Sequence, residues 1–151
     1  MLHPDKTKII YCKDGSRKGK YKETKFDFLG YTFRPRLIKS SKRNSMFISF
    51  TPAVSQEALK FMKAAIRQWN IRNRTDLELG DIARMYIPVS RGWLAYYGKY
   101  SPSALYQFCR HLNKTLVAWG MRKDKELAGH KTRTTIFIGK IVKKTPELFV
   151  H

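Results

Sequence analysis

At Thr51-Pro52 the spacing of large apolar side chains changes from every second residue to every third or fourth, and this switch constrains the architecture more than any other feature. Upstream of it, Lys25 to Phe33 (KFDFLGYTF) alternates large side chains with others, and Met46-Phe47-Ile48-Ser49-Phe50 does so again. The stretch between them, Arg34 to Ser45, is polar and basic and contains Pro35. Together these segments predict a β-hairpin with a long connection. Residues 13–25 carry charge and glycine without a packing pattern and read as a loop.

Downstream, Ser55 is the expected cap of a helix bearing Leu59, Met62, Ile66 and Trp69 at helical spacing. At about 100° per residue, Lys60, Lys63, Arg67 and Arg74 fall on a separate arc about 60° wide. Thr75-Asp76-Leu77-Glu78 has capping-box spacing and predicts the start of a second helix carrying Leu79, Ile82, Ala83 and Tyr86. Pro88 is expected to break or kink that helix, and Trp93 is expected in the core. Ser101-Pro102 predicts the next start. After it, Leu105, Phe108, Cys109, Leu112, Leu116 and Trp119 fit an arc of about 100°, with Arg110 and Lys114 on the far side. From Met121 to His151 the chain is basic with an apolar island, Ile136-Phe137-Ile138 and Ile141-Val142, and predicts one more helix ending at Thr145-Pro146. The expected class is α+β, mostly α: an N-terminal β-hairpin element followed by a bundle of three to four helices.

Charge bounds the partner. The 151 residues hold 31 Lys and Arg against 11 Asp and Glu, a net charge of +20, and the excess is spread over both halves of the chain. Solubility needs only about 2–8 charges in a small domain, and self-repulsion on this scale disfavours folding unless a polyanion offsets it. Nucleic acid is the polyanion that fits best, ahead of an anionic membrane surface. No apolar run approaches the roughly 18 residues of a membrane span, and the polar start shows no secretory pattern, so a soluble, cytoplasmic protein is expected. Cys12 and Cys109 have no CxxC partner, and His3, His111, His130 and His151 form no closely spaced pair. Neither a metal site nor a cofactor is expected.

Metal-dependent phosphoryl transfer needs converging carboxylates. The one acidic cluster, Asp76, Glu78 and Asp81, stands at a predicted helix start, where negative charge complements the helix dipole. No Asp-Asp pair, phosphate-cradling loop or nucleophile elbow is present, so no catalytic residue is assigned. The chain reads as a binding module. Its candidate contacts are Lys60, Lys63, Arg67 and Arg74 after the switch, Arg91, Tyr97 and Lys99 further on, and Arg110 and Lys114 on the third helix. Arg122, Lys123, Lys131 and Arg133 extend them through the basic run that follows. Such side chains hold phosphates, and Tyr96, Tyr97 and Tyr100 could stack on unpaired bases or fill the core.

The stretch from Phe26 to Phe33 (FDFLGYTF), preceded by Leu2 to Lys8 (LHPDKTK) and followed by Phe50-Thr51-Pro52, resembles the end of the palm in group II intron reverse transcriptase–maturases. Ile87 to Gly98 (IPVSRGWLAYYG) is similar to the signature of that family's maturase-specific domain, also called X or thumb, and Pro146 to His151 (PELFVH) to a motif near its end. The resemblance implies an end of palm over residues 1–52 and a maturase-specific helical domain over 53–151. It implies that Phe28, Leu29, Gly30 and Tyr31 form the primer grip, that Lys6 matches a palm lysine, and that the partners are group II intron RNA and RNA–DNA template–primer. The family's metal-binding Tyr-x-Asp-Asp motif is expected upstream of Met1. Polymerase activity and its Mg²⁺ are therefore expected of a full-length relative and not of this chain, and the missing reverse transcriptase domain is a candidate partner. The expected role is support of RNA splicing and reverse transcription. The alternative is a truncated mobile-element remnant that binds polyanions without selectivity.

Overall fold

A computed structural model describes residues 7–12, 15–16 and 19–144. The palm-like lysine Lys6, most of the segment before Lys8, and the terminal stretch from Thr145 to His151, with its predicted helix end, lie outside these residues. The order is three strands, then four helices: β1 (Phe26–Phe28), β2 (Tyr31–Lys39), β3 (Met46–Val54), α1 (Gln56–Trp69), α2 (Leu79–Tyr97), α3 (Tyr106–Lys123) and α4 (Lys131–Lys144). The α+β, mostly α class is observed, and no described helix is long and apolar enough to cross a membrane.

The sheet differs from the predicted hairpin in two respects. It is a three-stranded antiparallel meander in the order β1-β2-β3. The segment Lys25 to Phe33 is not one strand but folds back at Leu29-Gly30, where both residues have positive φ, 50° and 80°. That is the geometry of a two-residue hairpin turn matched to the strand twist. β2 then runs on through Arg34, Pro35 and Arg36 to Lys39, so half of the predicted connection is strand, and Ser40 to Ser45 alone make the turn. Proline is tolerated because β1 pairs only as far as Phe33, leaving one side of β2 an edge at Pro35. By register, Phe26, Phe28, Tyr31, Phe33, Leu37, Ile48 and Phe50 share one face, and Thr32, Arg34, Arg36 and Ile38 the other.

α1 starts where the sequence predicts. Ser55 has extended backbone, and its Oγ accepts from the Ala58 N–H at 3.0 Å. The helix ends at Trp69, with Asn70 left-handed (φ 52°) as its stop. Arg74 therefore does not lie on this helix; it follows a 3-10 turn, Ile71–Asn73. α2 begins at Leu79 rather than beside Thr75. Its box is made by Glu78 and Asp81, and the Glu78 N–H donates to Asp81 Oδ2 at 3.1 Å. Pro88 does not end it: α2 runs unbroken to Tyr97, with Pro88 exposed. The bond Pro88 cannot donate is lost on the solvent side, and the apolar face of Ile82, Ala83 and Ile87 holds the helix against the bundle.

Pro102–Leu105 form a 3-10 turn before α3. The expected stripe is observed, with Phe108, Leu112, Leu116 and Trp119 buried and Cys109 half-buried. Trp119 also donates its indole N–H to the Arg74 carbonyl at 2.9 Å, which satisfies the ring's polar edge. Met62, Ile66, Ile71 and Phe108 are wholly enclosed at the centre, each worth roughly 1.5–3 kcal/mol of burial. Trp93 stacks on Trp69 (5.6 Å, 3°) and stands edge-on to Phe108 at the core's margin, half-buried. α4 crosses α3 closely at Gly120, where a Cβ would lie 2.7 Å from Thr134 Cγ2.

Candidate nucleic-acid interface

The turn that carries Phe28, Leu29, Gly30 and Tyr31 is fixed to the helices. Phe28 and Leu29 face solvent, 58% and 67% exposed, while Tyr31 is buried at 7%. Tyr31 donates its hydroxyl to the Tyr96 carbonyl, and Tyr96 in turn donates to the Leu29 carbonyl at 3.0 Å. The Ser55 N–H donates to the Gly30 carbonyl at 2.8 Å. Tyr97 packs on Gly30 so closely that a Cβ there would sit 2.7 Å from its Cε1. Rings of Tyr96, Tyr97 and Tyr100 surround Tyr31 at 5.5–6.0 Å. Burial, and then these tyrosines, push the Tyr31 pKa up. Tyr96 and Tyr97 thus serve the joint between sheet and α2. Tyr100 stays exposed, with the Lys99 ammonium 5.6 Å from its ring.

α1 and α3 bring a second set together. Lys60 and Arg67 are exposed, and Lys63 donates its ammonium to Gln107 Oε1 on α3 at 3.1 Å. Just beyond Gln107 on α3 stands His111. Burial lowers its pKa most, followed by the charges of Arg67, Lys63 and Lys114. Its Nε2 is buried with no hydrogen-bond partner among the described residues. Lys63 and Arg67 of α1 and Lys114 of α3 thus come together around His111, with Lys60 one turn before Lys63 on the same face of α1 and exposed Arg110 one turn before Lys114. Lys131 and Arg133 are exposed in the first turn of α4, and Arg91 is exposed on α2.

Three candidates are engaged within the protein instead. Arg74 holds Asp76 through two bonds of 3.1 Å each, which lower the Asp76 pKa. Lys123 bonds Glu78 at 2.8 Å and the Thr75 carbonyl at 2.9 Å, and Arg122 donates to Asn73. They tie the end of α3 to the approach of α2. The acidic cluster is likewise spoken for: Asp81 closes the α2 box and pairs with Arg84 at 2.8 Å. Among the described residues, no three His, Cys, Asp or Glu side chains converge so that they could hold a metal ion.

Two basic side chains escaped the sequence reading. Arg34 and Arg36 lie on one face of β2. Their i, i+2 spacing was the available signal, hidden because Pro35 made the segment read as a connection.

Residues 59–135, just over half of the 151-residue chain, match the family model of the group II intron maturase-specific domain. No curated protein and no solved structure matches.

Proposed function

The chain belongs to the group II intron maturase-specific domain family, and from that premise we propose that it binds group II intron RNA through the joined basic faces of α1 and α3, in support of splicing. The observation that carries this reading is the convergence of Lys63, Arg67 and Lys114 around His111, without acidic partners among the described residues, with Lys60 on the same face of α1. Phosphates bring the charge that surface lacks. Arg110, Lys131 and Arg133 extend the contact, whereas Arg74, Arg122 and Lys123 position it from behind.

The exposed turn at Phe28 and Leu29 suits a grip on the primer strand of a template–primer duplex, with Tyr96 and Tyr97 holding the turn in place. The sheet face bearing Phe26, Phe33, Leu37 and Phe50, partly open to solvent, suits packing against the rest of a palm. In that arrangement residues 1–52 complete a reverse transcriptase domain and residues 53–151 act as its thumb. We assign no reaction to this chain by itself.

The test is a salt titration of binding to structured intron RNA, with transfer RNA as competitor. Contact with roughly 6–8 phosphates gives a log–log slope of about −4 to −7. Changing Lys60, Lys63 and Arg67 together to Gln should reduce that magnitude by about 2–3 and leave folding stability nearly unchanged, since exposed charges contribute little. An unchanged slope would move the interface off α1. Equal competition by transfer RNA would favour a polyanion binder without selectivity.

A further inference from the structure

Between the sheet and the helices runs a groove of about 800 Å³ that the α1–α3 surface does not include. One wall is the sheet face carrying Arg34 and Arg36, with Lys25 at one end. Asp27 is the one carboxylate among its lining residues, and it accepts a hydrogen bond from Thr32. The opposite wall is neutral: Gln56 of α1, then Tyr100, Ser103 and Gln107 around the start of α3.

Arg36 is held in an unusual way. Its Nη1 donates to the carbonyls of Thr32 (3.3 Å), Arg34 (3.4 Å) and Thr51. Nε and Nη2 have no acceptor among the described residues, and no carboxylate there pairs with the guanidinium. Burial and the neighbouring Arg34 both disfavour its charge. A guanidinium oriented by carbonyls, with donors to spare and no counter-charge, is prepared for an anion with several acceptor oxygens.

The asymmetry of the walls selects the kind of anion. A duplex presents two backbones and keeps its bases paired inside. A single strand presents phosphates along one side and unpaired base faces along the other. The groove offers cations on one wall, and amides, a hydroxyl and an exposed aromatic ring on the other. Its volume lies in the range of small-ligand clefts, roughly 300–1,000 Å³, room for a short piece of one strand. We propose that this groove is a second nucleic-acid site, which takes an unpaired RNA strand with its phosphates on Arg34 and Arg36 and its bases against Tyr100, Gln56 and Gln107. The proposal rests on the RNA-binding reading above and uses none of its cations; Gln107 alone is shared, since its Oε1 accepts from Lys63.

The experiment compares a labelled oligouridylate with a blunt RNA duplex, both bound to the full chain. Changing the exposed Lys25 and Arg34 together to Gln leaves the anchoring bonds of Arg36 in place. It should weaken oligouridylate binding about tenfold and reduce its salt slope by about 1.4, at roughly 0.7 per phosphate. Duplex binding should change less than about threefold. Tyr100→Ala should weaken oligouridylate about five- to hundredfold, the scale of one lost base stack, without altering the slope. Equal losses on strand and duplex, or no loss on the strand, would overturn the groove while leaving the α1–α3 surface standing. A wild-type chain that binds no RNA at all would overturn both readings.

Discussion

The sheet and the helical bundle are stabilised in opposite ways. The bundle encloses its own core, with Met62, Ile66, Ile71 and Phe108 almost without solvent contact. In the sheet, the buried apolar side chains are Tyr31, Ala53 and Val54, and all three stand at the end that meets the helices. Away from that end, Leu37, Met46 and Phe47 are exposed. A three-stranded sheet with so little burial draws its order from its attachment. The bundle carries its own core, and the sheet is joined to it around Tyr31.

Breaking the bundle should cost the most. Trp119→Ala should destabilise the chain by about 3–5 kcal/mol in urea unfolding, because a large core ring and its bond to Arg74 are lost together. By contrast, Leu37→Ala on the open sheet face should cost under about 0.5 kcal/mol. Similar costs for the two would end the distinction between the regions.

Next in size is the joint itself. Gly30→Ala introduces a side chain at φ 80° against Tyr97, a conformational penalty of about 1–2 kcal/mol before any clash. Amide exchange should quicken across β1 and β2 while α1 and α3 keep their protection. If helix protection fell as far, the sheet would be part of the core. Tyr96→Phe is the milder form, removing one hydrogen bond to Leu29. It should cost about 0.5–1.5 kcal/mol, again visible in exchange near the turn.

The smallest expected effect belongs to the bundle and is read by pH. His111 is kept neutral in the fold by burial and then by Arg67, Lys63 and Lys114. Its folded pKa is depressed, so the unfolded chain takes up the proton first as pH falls. The stabilisation is complete above the ordinary imidazole pKa of about 6.5 and is lost as pH drops from there toward the lower folded value. His111→Asn should flatten the fall in thermal midpoint over that window. A fall that persisted would place the sensitive group elsewhere.

The sequence was most legible where burial is periodic. The stripes from Leu59 to Trp69 and from Phe108 to Trp119 match the buried faces, because helical spacing and a single core impose the same constraint. It was least legible where tertiary contact overrides local chemistry. Pro88 reads as a breaker yet sits inside α2, and Pro35 reads as loop yet sits in β2. Thr75 to Glu78 has one capping spacing, and the structure uses the next, Glu78 to Asp81. For the candidate interface, charge marked the residues but not their partners. Nothing local distinguishes Lys123, bound to Glu78 and the Thr75 carbonyl far back in the chain, from Arg67, which faces solvent. The tyrosine joint was invisible for a related reason: Tyr31 and Tyr96 are 65 positions apart, and only the fold makes them neighbours.

Pro88 has a mechanical consequence. Lacking an N–H, it leaves the Arg84 carbonyl without its helical donor, so one rung of the α2 hydrogen-bond ladder is missing there. The eight residues from there to Tyr96 span about 12 Å at 1.5 Å each, and Tyr96 is bonded to the turn at Leu29. A bend at the proline would therefore be carried along the distal half of α2 to the turn at Leu29. A bend of about 10° there would shift that turn by about 2 Å over the same 12 Å, so the pitch of one helix sets the reach of the turn.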